Sequence, residues 1–197
     1  MNNPLLQVLS QSAADFQNVV WPVVSQFPLV GGGMLRPVEA VATADFKDDL
    51  DLLAGIDAWQ VDRGIPMMRG LASRVQWGGR YDTFSIRYRL PSGQPTEFAK
   101  RLTSIQNKDK GHLFPHFTVQ AYLDQAGGNL LSCAVIETEA LFAVAQDMDN
   151  KGIFKNSYHQ DKFGIKTLPN GTEFIYLQWD FLLYHGILKS ENTRCST

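Results

Sequence analysis

GIDAWQVDRGIPMMRGLASRVQWG, residues 55–78, switches the chain to a period of two. Leu71, Ser73, Val75 and Trp77 fall on one face of an extended strand, and Ala72, Arg74 and Gln76 on the other. Asp57 opens the run that precedes it, IDAWQV, and Gly55 ends whatever comes before. An aspartate at a strand start, followed by a turn and a strand with alternating polar residues, raises the question of a metal site against that of a plain hairpin.

Downstream, TFSIRYRL alternates strictly, with Phe84, Ile86, Tyr88 and Leu90 opposite Thr83, Ser85, Arg87 and Arg89. PSGQP ends that strand, and TEFAKRLTSI reads equally as a return strand or a short helix. FTVQAYLD and LLSCAVIE, joined by QAGGN, form a hairpin. Thr138 caps a helix whose apolar face is Leu141, Phe142, Ala145 and Met148. Residues 149–163 read as an exposed loop. GIKTLPNGTEFIYLQWDFLLYHGIL places an Asn-Gly turn between extended runs, the last long and apolar enough to be buried.

Upstream, Leu5, Leu6, Leu9, Phe16, Val19, Val20, Val23 and Phe27 keep mostly helical spacing, and Pro22 divides or kinks that helix. LVGGGMLRPVE reads as a glycine turn entering a strand that runs to about Thr43; the triplet lacks the Lys-Ser/Thr ending of a phosphate loop. TADFKDDLDLLAG reads as a short acidic helix capped by Thr43 or Asp45. Helix, strands, helix, strands predict one α/β or α+β domain spanning residues 1–197, with a mixed central sheet flanked by helices.

Composition narrows the function classes. With 44% hydrophobic and 19% charged residues the chain is neither disordered nor a coiled coil. No apolar run is long enough to span a bilayer, and the first residues lack the pattern of a signal peptide. Two cysteines, Cys133 and Cys195, fit a reducing cytoplasm better than a disulfide framework. Charge is unevenly spread. Residues 1–62 hold two basic and eight acidic side chains, residues 63–110 ten and three, and residues 111–197 six and nine. A basic middle beside an acidic segment suits a polyanion held partly through a divalent cation; it also suits oppositely charged strands lying side by side.

The order of helix, strand, Asp57 at a second strand and Arg74-Val75-Gln76 on a third resembles the PD-(D/E)XK, or restriction-endonuclease-like, superfamily over roughly residues 35–145. That resemblance implies a restriction-endonuclease-like core and a magnesium-dependent nuclease acting on DNA. It matches Asp57 to the first acidic ligand, Arg74 and Gln76 to the second element, and Glu39 to an auxiliary acid. The metal set would be Asp57, Gln76 and Glu39, with Asp51 as an alternative acid, and the catalytic set Asp57, Arg74 and Gln76. Arg74, Arg87, Arg89, Lys100 and Arg101 would contact the nucleic acid. The second element here has neither carboxylate nor lysine: Gln76 would ligate through a neutral oxygen, and Arg74 stays protonated and is no base. The chain's texture resembles proteins of phages and mobile elements. A nucleic-acid-binding protein without catalysis, and a protein-interaction or assembly module, remain open beside the nuclease.

Other candidates carry less. Pro115 breaks the helical spacing that would pair His112 with His116 on zinc, and His159 and His185 stand alone. Trp59, Trp77 and Trp179 sit in apolar-patterned strands and are expected in the core, and Glu137 and Glu139 favour a helix N-terminus.

Overall fold

A computed structural model describes residues 4–38, 55–64, 67–155 and 159–195. Glu39, Asp51, the continuation of the first strand to Thr43 and the acidic helix before Gly55 lie outside them.

The N-terminal helical run divides where Pro22 requires it to. α1 (Pro4–Asp15) passes through a π-helical turn (Phe16–Val20) into α2 (Trp21–Val24), and the Trp21 N–H donates to Phe16 O. Pro22 has no N–H, so the wider turn ahead of it lets the ladder end without a broken bond inside the helix. Gly31, Gly32 and Gly33 all take positive φ and bring the chain back onto the sheet. Buried Gln60 holds this turn, its Nε2 donating to Val30 O at 2.7 Å and Gly32 O at 2.6 Å. A side chain on Gly33 would press on that same glutamine.

Among the described residues nine strands follow: β1 (Met34–Pro37), β2 (Ala58–Asp62), β3 (Met67–Trp77), β4 (Thr83–Arg89), β5 (Phe117–Leu123), β6 (Leu130–Glu137), β7 (Phe163–Thr167), β8 (Glu173–Gln178) and β9 (Thr193–Cys195). Three helices lie among them: α3 (Glu97–Gln106), α4 (Thr138–Asn150) and α5 (Trp179–Tyr184). The architecture is mixed α/β, with a six-stranded sheet ordered β1-β2-β3-β5-β6-β9 and a three-stranded sheet ordered β4-β8-β7. Within the larger sheet β3 and β5 are parallel and the remaining pairs antiparallel.

Two sheets, rather than one main sheet, are a correction to the sequence expectation. β4 alternates as read but pairs with β8, not with β3. Its apolar face, Phe84, Ile86 and Tyr88, packs with Tyr122, Ala134 and Ile136 of the larger sheet and with Phe142 of α4. The opposite face of the larger sheet, carrying Leu71, Val75, Val119 and Val135, is covered by Phe16, Val20 and Val24 of the N-terminal helices. Tyr122 pins the two sheets together: its hydroxyl donates to Thr83 O at 2.9 Å and lies 2.8 Å from Thr83 Oγ1.

TEFAKRLTSI resolves as helix α3, burying Phe98, Arg101 and Ser104. The 149–163 stretch is not all exposed loop, because Phe154 and Phe163 are buried in the same core as β4. The last apolar run leaves the extended state after Gln178 and becomes α5, with Trp179 and Leu182 buried; a continuous apolar stretch has no period to distinguish the two. No helix among the described residues is long and apolar enough to cross a membrane. Both cysteines are free thiols, Cys133 buried and Cys195 exposed. Burial pushes the Cys133 thiol up to about 12, so the folded protein is expected to react with one equivalent of an aromatic disulfide reagent, and with a second only on denaturation.

Candidate functional site

The site forms where β2 is shorter than β3. Register between them ends at Ala58 with Leu71, and the Asp57 N–H donates to Leu71 O at 2.8 Å. Backbone groups of Leu71 therefore point toward β2, and by the strand period those of Ser73 and Val75 point the same way, beyond Ala58, the first β2 residue, where no described strand pairs with them. Asp57 caps this open edge: its Oδ2 accepts from Ser73 N–H at 2.6 Å and lies 3.3 Å from Ser73 Oγ. Along the edge run two adjoining cavities of about 550 and 620 Å³, sharing Arg74, Val75, Gln76, Ser85 and Phe174. Because the groove follows an edge rather than a face, residues of both parities reach it.

Three expected residues thus meet in one place, since Asp57, Arg74 and Gln76 all line the first cavity, together with Arg87, Lys100 and Arg101. Arg89 does not line either cavity; it leans on the Tyr88 ring and lies 3.8 Å from Glu173.

An ion hub that the sequence reading missed organises the cations. Glu97, in the first turn of α3, bonds Arg74 Nη2 through Oε2 at 2.9 Å and stands 3.2 Å from Arg101 Nη1. The Arg87 N–H donates to the same Oε2 at 3.2 Å. Arg101 is only 6% exposed; it also donates to Gly55 O at 3.0 Å and lies over the Phe142 ring. Any side chain on Gly55, whose φ is +61°, would collide with that guanidinium, so the glycine that ends the acidic segment is also the seat of Arg101. Arg74 Nη1 donates to Ser85 Oγ at 3.2 Å, and Ser85 in turn donates to Gln120 Oε1 at 3.3 Å.

Burial alone would push the Glu97 carboxyl up; Arg74, then Arg101 and the Arg87 N–H outweigh it and hold the carboxyl below its ordinary range. A depressed folded-state value means the unfolded chain binds the proton more readily. Stability from Glu97 is therefore complete above about pH 4.5 and is lost as pH falls through its lower folded value. Urea midpoints measured from pH 7 down to pH 3 are expected to fall in that acidic window, and Glu97→Gln to flatten the fall.

The second cavity is aromatic. Trp77, Tyr81, Phe174 and Tyr176 line it with Lys166. The Phe174 ring has the Arg74 and Arg87 guanidinium carbons at 5.4 and 5.8 Å from its centroid. Trp77, expected in the core, packs partly there yet also borders the groove, its Nε1 donating to buried Asp15 at 2.8 Å. Trp179 is buried, as its pattern implied. His116 Nδ1 accepts from Gly70 N–H at 3.1 Å and so braces the β3 backbone.

Among the described residues five cations and two carboxylates line the two cavities, with neither histidine nor cysteine. The excess of cations among these residues favours a negatively charged ligand, and flat rings lie beside them. For Mg²⁺ the described donors fit poorly: Asp57 already accepts from Ser73, Glu97 is taken up by Arg74 and Arg101, and the neutral amides of Gln76 and Gln120 stand beside guanidinium groups. Among the described residues no three His, Cys, Asp or Glu side chains gather to hold a metal.

No protein-family model, no curated protein and no solved structure matches the chain.

Proposed function

We propose that this is a cytoplasmic nucleic-acid-binding protein whose β3-edge groove holds a DNA strand. The observation that carries the reading is Phe174, flanked by Arg74 and Arg87 in a groove that continues into Lys100 on one side and Trp77 and Tyr81 on the other. Cations neutralise phosphates without regard to sequence, and aromatic faces stack on any base. Fluorescence anisotropy with labelled single- and double-stranded oligonucleotides tests it. Affinity is expected to fall steeply with salt. Phe174→Ala should weaken binding of single strands about tenfold, in line with the usual worth of one stacked base. Arg87→Ala should weaken all sequences alike and reduce the salt slope by about one. Binding that ignores both salt and these substitutions sinks the proposal.

A second reading keeps the PD-(D/E)XK resemblance, a restriction-endonuclease-like core and Mg²⁺-dependent cleavage. What favours it is that Asp57, Arg74 and Gln76 share one cavity. Cleavage of DNA in Mg²⁺ or Mn²⁺ that is lost in Asp57→Ala would establish it; binding without cleavage leaves the first reading standing. If the protein neither binds nor cleaves, the open β3 edge is best explained as an assembly surface.

A further inference from the structure

The two halves of the groove differ in chemistry, and the difference names a ligand more narrowly than "nucleic acid". In the polar half, Gln120 is 1% exposed, and its Nε2 has no hydrogen-bond partner. Its orientation is set: Ser85 Oγ accepts from Arg74, so the serine proton goes to Gln120 Oε1 and the amide nitrogen is left over. Arg101 Nη1, in a side chain 6% exposed, is ion-paired with Glu97 at 3.2 Å but without hydrogen-bond geometry. Buried polar groups are almost always paired. An unpaired amide donor beside a buried guanidinium, in a cavity lined by cations, calls for an acceptor with negative charge and several oxygens.

An internal phosphodiester answers poorly. It carries one charge, is substituted on both sides and follows the rim of a groove. A terminal phosphate carries up to two charges and three free oxygens on a single tether, so it can reach donors at the floor. The neighbouring half, with Trp77, Tyr81, Phe174 and Tyr176, then offers the adjoining nucleoside flat, apolar walls. A base reaches those walls only when it is unstacked, which disfavours a duplex.

We infer that the groove seats the phosphorylated end of a single strand, its terminal phosphate beside Gln120 and Arg101 and its last base in the aromatic half. This rests on the nucleic-acid reading above. The test uses the full chain and hexanucleotides bearing a 5′-phosphate, a 3′-phosphate or only hydroxyl ends, labelled at the opposite terminus. One phosphorylated end is expected to bind about tenfold tighter than the hydroxyl-ended strand, as a charge-assisted contact would give. Gln120→Leu should abolish that preference while hydroxyl-ended strands still bind. Should Gln120→Leu not fold, competition decides the matter on the unaltered protein: 5′- or 3′-adenosine monophosphate should displace a bound strand at concentrations where adenosine does not. Equal affinity for phosphorylated and hydroxyl ends, with adenosine competing as well as its monophosphates, overturns the inference and leaves the nucleic-acid reading intact. Failure to bind any oligonucleotide overturns both.

Discussion

Glu97→Ala is expected to lower the unfolding free energy by about 3 kcal/mol, the usual consequence of removing one partner from a buried ion pair. The reason is Arg101. At 6% exposure its guanidinium has little water to turn to, and Glu97 and Gly55 O are its counter-charge and its carbonyl partner. Arg74, at 27% side-chain exposure, is better solvated and loses less. For a chain of this length the melting temperature should drop by roughly 6 to 12 °C. Replacing Arg101 by Met in the Glu97→Ala background should recover much of the loss, because it removes the stranded charge and retains a comparable apolar stem. Glu97→Ala alone should strengthen nucleic-acid binding wherever the variant is folded, since Glu97 is the internal anion competing for Arg74 and Arg101. A variant as stable as the parent, with an unchanged acid limb, would show that the hub contributes nothing to the fold.

Phe142→Ala is expected to cost about 3 to 5 kcal/mol, as large-to-small changes of fully buried aromatic residues do. Phe142 is 0% exposed and stacks on Phe98 of α3 at a centroid distance of 6.2 Å, while the Arg101 guanidinium lies 5.3 Å from the Phe142 ring centroid. The ring is both core filler and the apolar platform under the buried cation. Deleting it leaves a cavity between α3 and α4 and loosens Arg101 together. Denaturant curves of Phe142→Ala, Glu97→Ala and the double variant should therefore show a combined loss smaller than the sum, because both substitutions release the same guanidinium. Strict additivity would separate the core from the hub and remove the physical link drawn between them.

Among the proposed site residues, Asp57, Arg74, Gln76, Arg87, Lys100 and Arg101 were legible because they stand out by type and parity along strands or in the basic segment. Glu97 was not, although its i,i+4 spacing to Arg101 becomes meaningful once the segment is a helix. TEFAKRLTSI carries no decisive period, so that relation was hidden. Gln120 left a fainter mark, a polar residue in the otherwise apolar FTVQAYLD. Phe174 and Tyr176 left none, because an aromatic in a strand is as much at home in a core as in a groove.

Alternation and turn chemistry act between near neighbours, so the amino-acid order by itself determined the β2 to β6 extended runs, the glycine turn at 31–33, and the apolar faces of β4 and of the helix after Glu137, though Glu137 and not Thr138 stands at that helix's cap. Which strands pair is a contest among distant segments, settled by how much apolar surface each arrangement buries. Only the folded chain decided that β4 joins β8, that β5 lies parallel to β3, and that β2 is shorter than β3, so that among the described residues no strand pairs with β3 beyond Leu71 on that side. The groove is a product of that contest: its glutamate, arginines and rings come from strands and helices far apart in the chain, brought to one edge by packing that no local pattern encodes.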